Sequence, residues 1–263
     1  MLSENQTTGP SIHEVADILT DVASTLMSSG AHTMRITQNV SRMANKLGYQ
    51  MDLSIFQLSI MMTITNIEDP TQRLTLIKKT KPLLLNFTIV SELSSLSWDL
   101  FDEKISFEQA KENLQTVISK ERLSKTLVLI LVSCANAAFC GLFHGDIYAI
   151  GLVFLATMIG YLIRQKLIDR NINHLIAFSA SAFIASLMAG MTYVLNLGTT
   201  PDIALASSVL FLIPGVPLIN SILDIIQGHV LTGIARLVNA SSLIVCIAIG
   251  LFASMLTLGL EKL

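Results

Sequence analysis

The second half of this chain holds too few charges to cover the surface of a water-soluble fold. Residues 126–263 contain 5 Lys/Arg and 5 Asp/Glu, whereas residues 1–125 contain 12 and 14. That step predicts a domain boundary near residue 125 and a surrounding other than water beyond it. The chain as a whole is 52% hydrophobic and 14% charged. An ordinary soluble domain is about a quarter charged. A soluble fold built on the second half would leave its apolar helices almost without polar cover.

A bilayer core about 30 Å thick takes about 20 apolar residues of helix. Five segments suit it: 126–143, 147–163, 175–197, 202–226 and 237–260. The first closes at His144-Gly145-Asp146, the second at Arg164-Gln165-Lys166 and the third at Gly198-Thr199-Thr200-Pro201. The fourth is interrupted by Pro214-Gly215-Val216-Pro217. Lys120, Arg122 and Lys125 precede the first segment, Arg164, Lys166 and Arg170 follow the second, and Arg236 follows the fourth. The loops after the first and third segments hold no Lys or Arg, and Lys262 alone follows the fifth. Under the positive-inside rule this alternation puts the N-terminal domain in the cytoplasm and the C-terminus outside, which requires an odd number of spans. The opening residues include Glu4, Glu14 and Asp17 and no long apolar run, so a secretory signal peptide is not expected there.

Residues 1–125 read as a small α+β domain. Ser11-Ile12-His13-Glu14 is a capping box, and Ile12, Val15, Leu19, Val22 and Leu26 follow at helical spacing up to a stop at Gly30. A second helix carries Ile36, Val40, Met43 and Leu47 and ends at Gly48. Residues 50–79 predict two or three strands, with Phe56–Thr65 and Arg73–Lys78 flanking a turn at Asp69-Pro70. Residues 86–100 and 107–120 are helical again, the latter capped by Ser106 with Gln109 three residues on. Lys78, Lys79 and Lys81 read as a solvated strand end. The net charge of −2 and the lack of a basic patch exclude a nucleic-acid partner. Cys134, Cys140 and Cys246 lie in apolar segments without metal-ligand spacing and are expected to be buried thiols, so neither metal nor cofactor is implied.

The chemistry concentrates in Leu210–Arg236. Two prolines three residues apart break the backbone ladder, and broken backbone at membrane depth is tolerated where it is buried in protein or lines a wet cavity. Such discontinuous helices recur at transporter binding sites. Beyond the break, Asn220, Asp224 and Gln227 share one helical face, opposite Ile219, Ile222, Leu223 and Ile226. A carboxylate in a membrane segment is costly unless hydrated or paired, which makes Asp224 a functional candidate with Arg236, past breaks at Gly228 and Gly233, as its counter-ion. The competing reading ends the fourth segment near Leu223, leaving Asp224 interfacial and Arg236 a topology anchor. Asn136 and Asn196 either line a path or join helices. Ser179, Ser181, Ser186 and Gly190 suggest a close-packed helix face. Asp146 and Asp202 suit helix caps. His13 and His32, each placed on a helix with no nucleophile motif beside it, offer weak support for an enzyme.

The run IPGVPLINSILDIIQGHVLTGIARL, Ile213–Leu237, resembles the signature of the threonine/serine exporter family. LMSSGAHTMRITQNVSRMANKLG, Leu26–Gly48, is similar to that family's N-terminal motif. The resemblance covers nearly the whole chain and is nearest to the family's stand-alone large subunit. It implies a transporter of the bacterial inner or plasma membrane that exports small amino acids or, in some branches, dicarboxylates such as succinate. It also implies a separate small membrane subunit, with a higher oligomer as an option. Carried over by motif, Pro214, Gly215, Pro217, Asn220, Asp224, Gly228, Gly233 and Arg236 would be essential, and Gly30, Ala31 and Arg35 would form the N-terminal motif. Ile36-Thr37 stands where the family pattern often has an acid after the arginine, so that partner for Arg35 is missing here.

The expected protein is therefore a helical bundle of about five transmembrane helices, the fourth broken at Pro-Gly-Val-Pro, behind a small α+β cytoplasmic domain. It would act as a non-enzymatic exporter subunit for a small polar molecule. The alternatives are a membrane-anchored sensor or binding protein and, behind it, a membrane-tethered hydrolase using His32.

Overall fold

The computed structural model describes residues 10–120 and 123–260. Glu4, Arg122 and Lys262, which enter the arguments above, lie outside the described residues. The described chain divides into two compact units. One comprises the described part of Met1–Glu121 together with Val216–Leu237, and the other comprises the described part of Arg122–Gly215 and Val238–Leu263.

The first unit opens with α1 (Ile12–Ser28), held by the Ser11/Glu14 capping box. Its end is a Schellman motif: Gly30 takes φ 96°, and the Gly30 and Ala31 amides donate to Met27 O and Leu26 O at 3.2 and 3.0 Å. Four residues separate it from α2 (Thr33–Lys46), which ends before Gly48 at φ 83°. Then β1 (Tyr49–Ile55), β2 (Ser59–Asn66) and β3 (Arg73–Lys79) form an antiparallel meander. Residues 49–55, read above only as part of a β-like region, thus form a strand of their own. Ile55 pairs with Ile60, and Thr65 with Arg73. Ile60, Met62 and Ile64 alternate into the core against Leu19, Leu26 and Met43 of the helices, the period of two that a half-buried strand requires.

Helices α3 (Phe87–Phe101) and α4 (Phe107–Ser119) complete that core, with Ser106 and Gln109 forming a second capping box. Arg42 fixes α2 to α3. Its guanidinium lies 3.7 Å from the Trp98 ring centroid, and Nη1 donates to Asn39 Oδ1 at 3.0 Å and to Ser97 Oγ at 2.6 Å. Lys78 pairs with Asp21, so only Lys79 and Lys81 of the three lysines are left as a solvated strand end.

Residues 216–237 add a helical hairpin to the same unit. The hairpin comes from α9 (Gly215–Ile226) and α10 (Val230–Thr257), which follow α5 (Lys125–Leu142), α6 (Ile147–Asp169), α7 (His174–Val194) and α8 (Pro201–Ser207) of the second unit. Gly228, at φ 87°, is the turn glycine of another Schellman motif, with His229 N donating to Asp224 O at 2.8 Å. Gly233 is not a break as expected but an interior residue of α10. A Cβ there would meet Ile225 Cγ1 at 2.6 Å and Ser221 O at 2.8 Å, so the missing side chain is what lets α10 approach α9.

The second unit contains α5 (Lys125–Leu142), α6 (Ile147–Asp169), α7 (His174–Val194), the short α8 (Pro201–Ser207), a 3-10 turn at Leu210–Leu212 and the later part of α10. Close packing relies on small residues. Ser181 Oγ donates to Gly160 O at 2.7 Å, Ser186 and Ser254 hydroxyls meet at 2.6 Å, and Gly250 faces the Ser179 carbonyl where no Cβ fits. Ser179 itself is only half-buried. The outward surface is apolar, with Leu131, Phe139, Leu155, Val245, Ile249 and Phe252 exposed, as lipid contact demands. Of the three cysteines, Cys140 is buried, Cys134 is exposed and Cys246 is half-buried, which corrects the expectation that all three are interior.

Among the described residues, four helices are long and apolar enough to cross a membrane: Lys125–Leu142, Ile147–Asp169, His174–Val194 and Val230–Thr257. The broken pair Pro201–Leu212 and Gly215–Ile226 makes a fifth if its two pieces count as one span. Helix α6 outruns the expected segment because Arg164, Gln165 and Lys166 are good helix formers. It stops only before Asn171, at φ 58°.

Candidate functional site

The polar face read from Asn220, Asp224 and Gln227 meets the α1–α2 connection inside the first unit. The reason begins with α2. Its first turn carries no acidic residue, its N-cap His32 makes no side-chain cap, and its third residue is the cation Arg35. A helix start of that kind leaves amides unpaired at the positive end of its dipole. Asp224 fills the gap from a distant part of the chain: Thr33 N donates to Asp224 Oδ1 at 2.8 Å. One turn earlier on α9, Asn220 Nδ2 donates to Gly30 O at 2.9 Å. Thr232, at the start of α10, donates to Ile55 O at 2.8 Å and ties the hairpin to β1.

Arg236 completes the arrangement. Its Nη1 stands 2.8 Å from Asp224 Oδ2, with the arginine side chain 16% exposed and the carboxylate 0%. The pair is in contact without hydrogen-bond geometry, so both atoms remain unpartnered as donor and acceptor. Thr33 Oγ1, His32 Nδ1 and Gln227 Oε1 are likewise buried and unpartnered. Five such atoms are therefore associated with one carboxylate: two acceptors, one donor, and two that can act as either. Unmade hydrogen bonds of this kind cost roughly 1–3 kcal/mol each, so a fold that retains several of them together marks a site rather than ordinary packing. His32 lies beside Gln227, and burial holds its imidazole below the ordinary histidine range, against the raising influence of Asp224 and Gln227.

The expected residues distribute as follows. Asn220, Asp224, Gln227, Arg236, Gly30 and Ala31 are brought into this region or its supporting turn, with Ala31 buried. Gly228 and Gly233 shape the hairpin. Pro217 occupies the first turn of α9, where its missing N–H is harmless. Pro214 is buried ahead of α9, after an extended Ile213 (φ −64°, ψ 125°), and Gly215 is exposed with open space around it. Arg35 is exposed and makes no side-chain bond among the described residues. His13 lies within α1, whereas His32 precedes α2 as its N-cap rather than lying on it.

Asn136 and Asn196 belong to the second unit. Asn136 Nδ2 donates to Thr157 Oγ1 at 2.6 Å and to Ser207 O at 3.1 Å, joining three elements. Asn196 is exposed at φ 49° beyond the end of α7. Asp146 is a cap as expected. It accepts from Ala149 N at 2.8 Å and from the Thr199 and Thr200 amides, and these bonds bring its carboxyl down to about 2. Asp202 is not a cap: it sits inside the first turn of α8 and accepts from the Tyr193 hydroxyl. A groove in the second unit, lined by Val132, Ala135, Asn136, Phe139, Leu210 and Phe211, is almost wholly apolar.

Sequence reasoning missed the roles of Thr33 and Thr232. The signal available for Thr33 was the uncapped, acid-free start of α2. Thr232 left no local signal, because its partner is a strand-end carbonyl.

Comparison with known proteins agrees with a membrane architecture. The model of the family described as "Putative threonine/serine exporter" matches residues 17–258. The chain is 31% identical over 238 residues to the "Probable succinate transporter subunit YjjP" of Escherichia coli K12, covering 90% of this chain and 91% of that protein. It is 30% identical over 237 residues to the protein of the same description in Klebsiella aerogenes, with the same coverage. No solved structure matches it significantly. The chain belongs to the threonine/serine exporter family. It is a multi-pass membrane transporter of small metabolites, mostly helical with a small sheet, and not an enzyme.

Proposed function

We propose that the chain is the large subunit of a two-component secondary exporter for a small carboxylate-bearing metabolite, either a threonine/serine-type amino acid or a dicarboxylate such as succinate. The observation that carries this reading is the buried Asp224–Arg236 pair and its unpartnered polar neighbours on the segment just past the Pro-Gly-Val-Pro break. The similarity to proteins described as succinate transporter subunits supports both the substrate class and a partner subunit. Residues 1–125 act as a cytoplasmic domain that takes in the 216–237 hairpin, the rest of 126–263 as the membrane domain with five spans, and the C-terminus lies outside a bacterial inner membrane. The alternation of basic and non-basic loops supports this topology. Pro214, Gly215, Pro217, Asn220, Asp224, Gly228 and Arg236 serve the transport pathway, with Gly30, Ala31 and Arg35 as the facing motif.

The test is efflux from cells lacking their own exporters, loaded with labelled succinate, threonine or serine. The chain is expressed alone and with its candidate small subunit. Efflux requiring both proteins is the expected result. Efflux of none of the three, with both proteins present in the membrane, overturns the reading.

A further inference from the structure

The Asp224 carboxylate occupies a place that the surrounding groups define for a carboxylate in general. The amide of Thr33 opens a helix of 14 residues, and Arg236 Nη1 approaches from α10. Thr33 is 3% exposed, and its hydroxyl, which belongs to the same residue as the donating amide, has no partner. Asp224 is fully buried, yet one of its oxygens makes no hydrogen bond. The carboxylate is therefore held by one good hydrogen bond and one imperfect ion pair, while the Thr33 hydroxyl stays unused and His32 and Gln227 adjoin each other without good hydrogen-bond geometry. A side chain that served only to cap α2 would leave no such surplus.

We propose that the N-terminus of α2, with Arg236, Thr33 and His32, is a carboxylate-binding site. Asp224 fills it from within, and the carboxylate of the transported molecule takes Asp224's place. The proposal rests on the exporter reading for the identity of the ligand, but not for the existence of the site. A free carboxylate brings what Asp224 lacks, the freedom to turn both oxygens toward donors. Those donors are the Thr33 amide and hydroxyl and the Arg236 fork, which suits planar bidentate pairing. Displaced, Asp224 stays on α9 one turn beyond Asn220, so ligand entry and movement of α9 relative to α2 become one event. Gln227, with its amide turned, faces the ligand as a donor.

The experiment measures binding of labelled succinate to the full-length chain in nanodiscs, with neutral succinamide as control. Asp224→Asn removes the internal competitor and keeps the shape. A tethered competitor acts at an effective concentration in the millimolar range, so its removal tightens succinate binding by about tenfold or more. Thr33→Pro deletes the amide donor at a first-turn position that proline favours, and Arg236→Gln deletes the cation. Both lose succinate binding. Trp98 fluorescence, from the one tryptophan, confirms that each variant keeps the first unit folded. Unchanged or weaker binding by folded Asp224→Asn overturns the proposal, as does full binding by Thr33→Pro or equal binding of succinamide. Efflux of succinate without the tightening would sink this site and leave the exporter standing. Tightening without efflux of any substrate would do the reverse.

Discussion

Asp224 accepts a hydrogen bond from the Thr33 amide across 191 residues of sequence, at 2.8 Å, so the first turn of α2 is completed by a side chain from α9. The same aspartate contributes its own carbonyl to the Schellman turn that ends α9, accepting from His229 N at 2.8 Å. One residue thus closes one helix with its backbone and opens another with its carboxylate.

Removing the cation should be costly. Arg236→Leu leaves a fully buried carboxylate without its counter-ion and is expected to destabilise the first unit by about 3–5 kcal/mol. Urea titration followed by Trp98 fluorescence reads this. The double variant with Asp224→Asn should recover a large part of the loss. A simple sum of the two single effects would show that the residues are not coupled.

The interhelical contact at Gly233 is equally specific. Gly233→Val places methyl groups where Ile225 and the Ser221 carbonyl already stand, and overpacking of this kind costs about 1–3 kcal/mol. Ile225→Ala on the same chain should relieve the side-chain part of the clash but not the part against the carbonyl. Thermal unfolding of Gly233→Val, Ile225→Ala and the double variant distinguishes the two contributions.

His32 should make the first unit sensitive to mild acid. Burial lowers its folded-state pKa below the ordinary value of 6.5. The unfolded chain therefore binds the proton more readily, and stability falls as pH drops through 6.5 toward the folded value. His32→Gln is expected to flatten the Trp98-detected midpoint between pH 7.5 and that lower limit. An unaltered slope would assign the sensitivity elsewhere.

In the second unit, Asn136→Leu removes bonds to Thr157 and Ser207. Intramembrane hydrogen bonds average about 0.6 kcal/mol with a maximum near 1.7, so a modest loss of thermal stability in detergent is expected. Thr157→Val should add little to it, because both changes remove the same bond.

Much of this architecture was open to reading in the chain itself, and the exceptions have physical causes. Capping boxes at Ser11 and Ser106 and the stops at Gly30 and Gly48 depend on neighbours within a few residues, so local pattern reveals them. The face of Asn220, Asp224 and Gln227 follows from helical period, and Arg236 from the cost of an unpaired carboxylate. Gly233 misled because glycine reads as a break when no neighbour is known. In the structure its bare Cα is where another helix passes. The pairing of Asp224 with Thr33 was not legible, because the uncapped start of α2 shows that a partner is wanted but no periodicity links residues so far apart.

The connection Ser29-Gly30-Ala31-His32 has a length that cannot vary. An added residue, spanning up to about 3.5 Å, would displace the Thr33 amide from the Gly30 carbonyl, so that Asp224 and Asn220 on one helix could no longer reach both. The turn around Asp69-Pro70, whose bonds run within residues 66–72 apart from Ile67 N donating to Gly48 O at 3.0 Å, faces no such bookkeeping at its tip. Within the first unit, insertions should therefore be tolerated at the far end of the sheet and rejected at this four-residue bridge, with loop length serving as the gauge that keeps distant halves of the sequence in register.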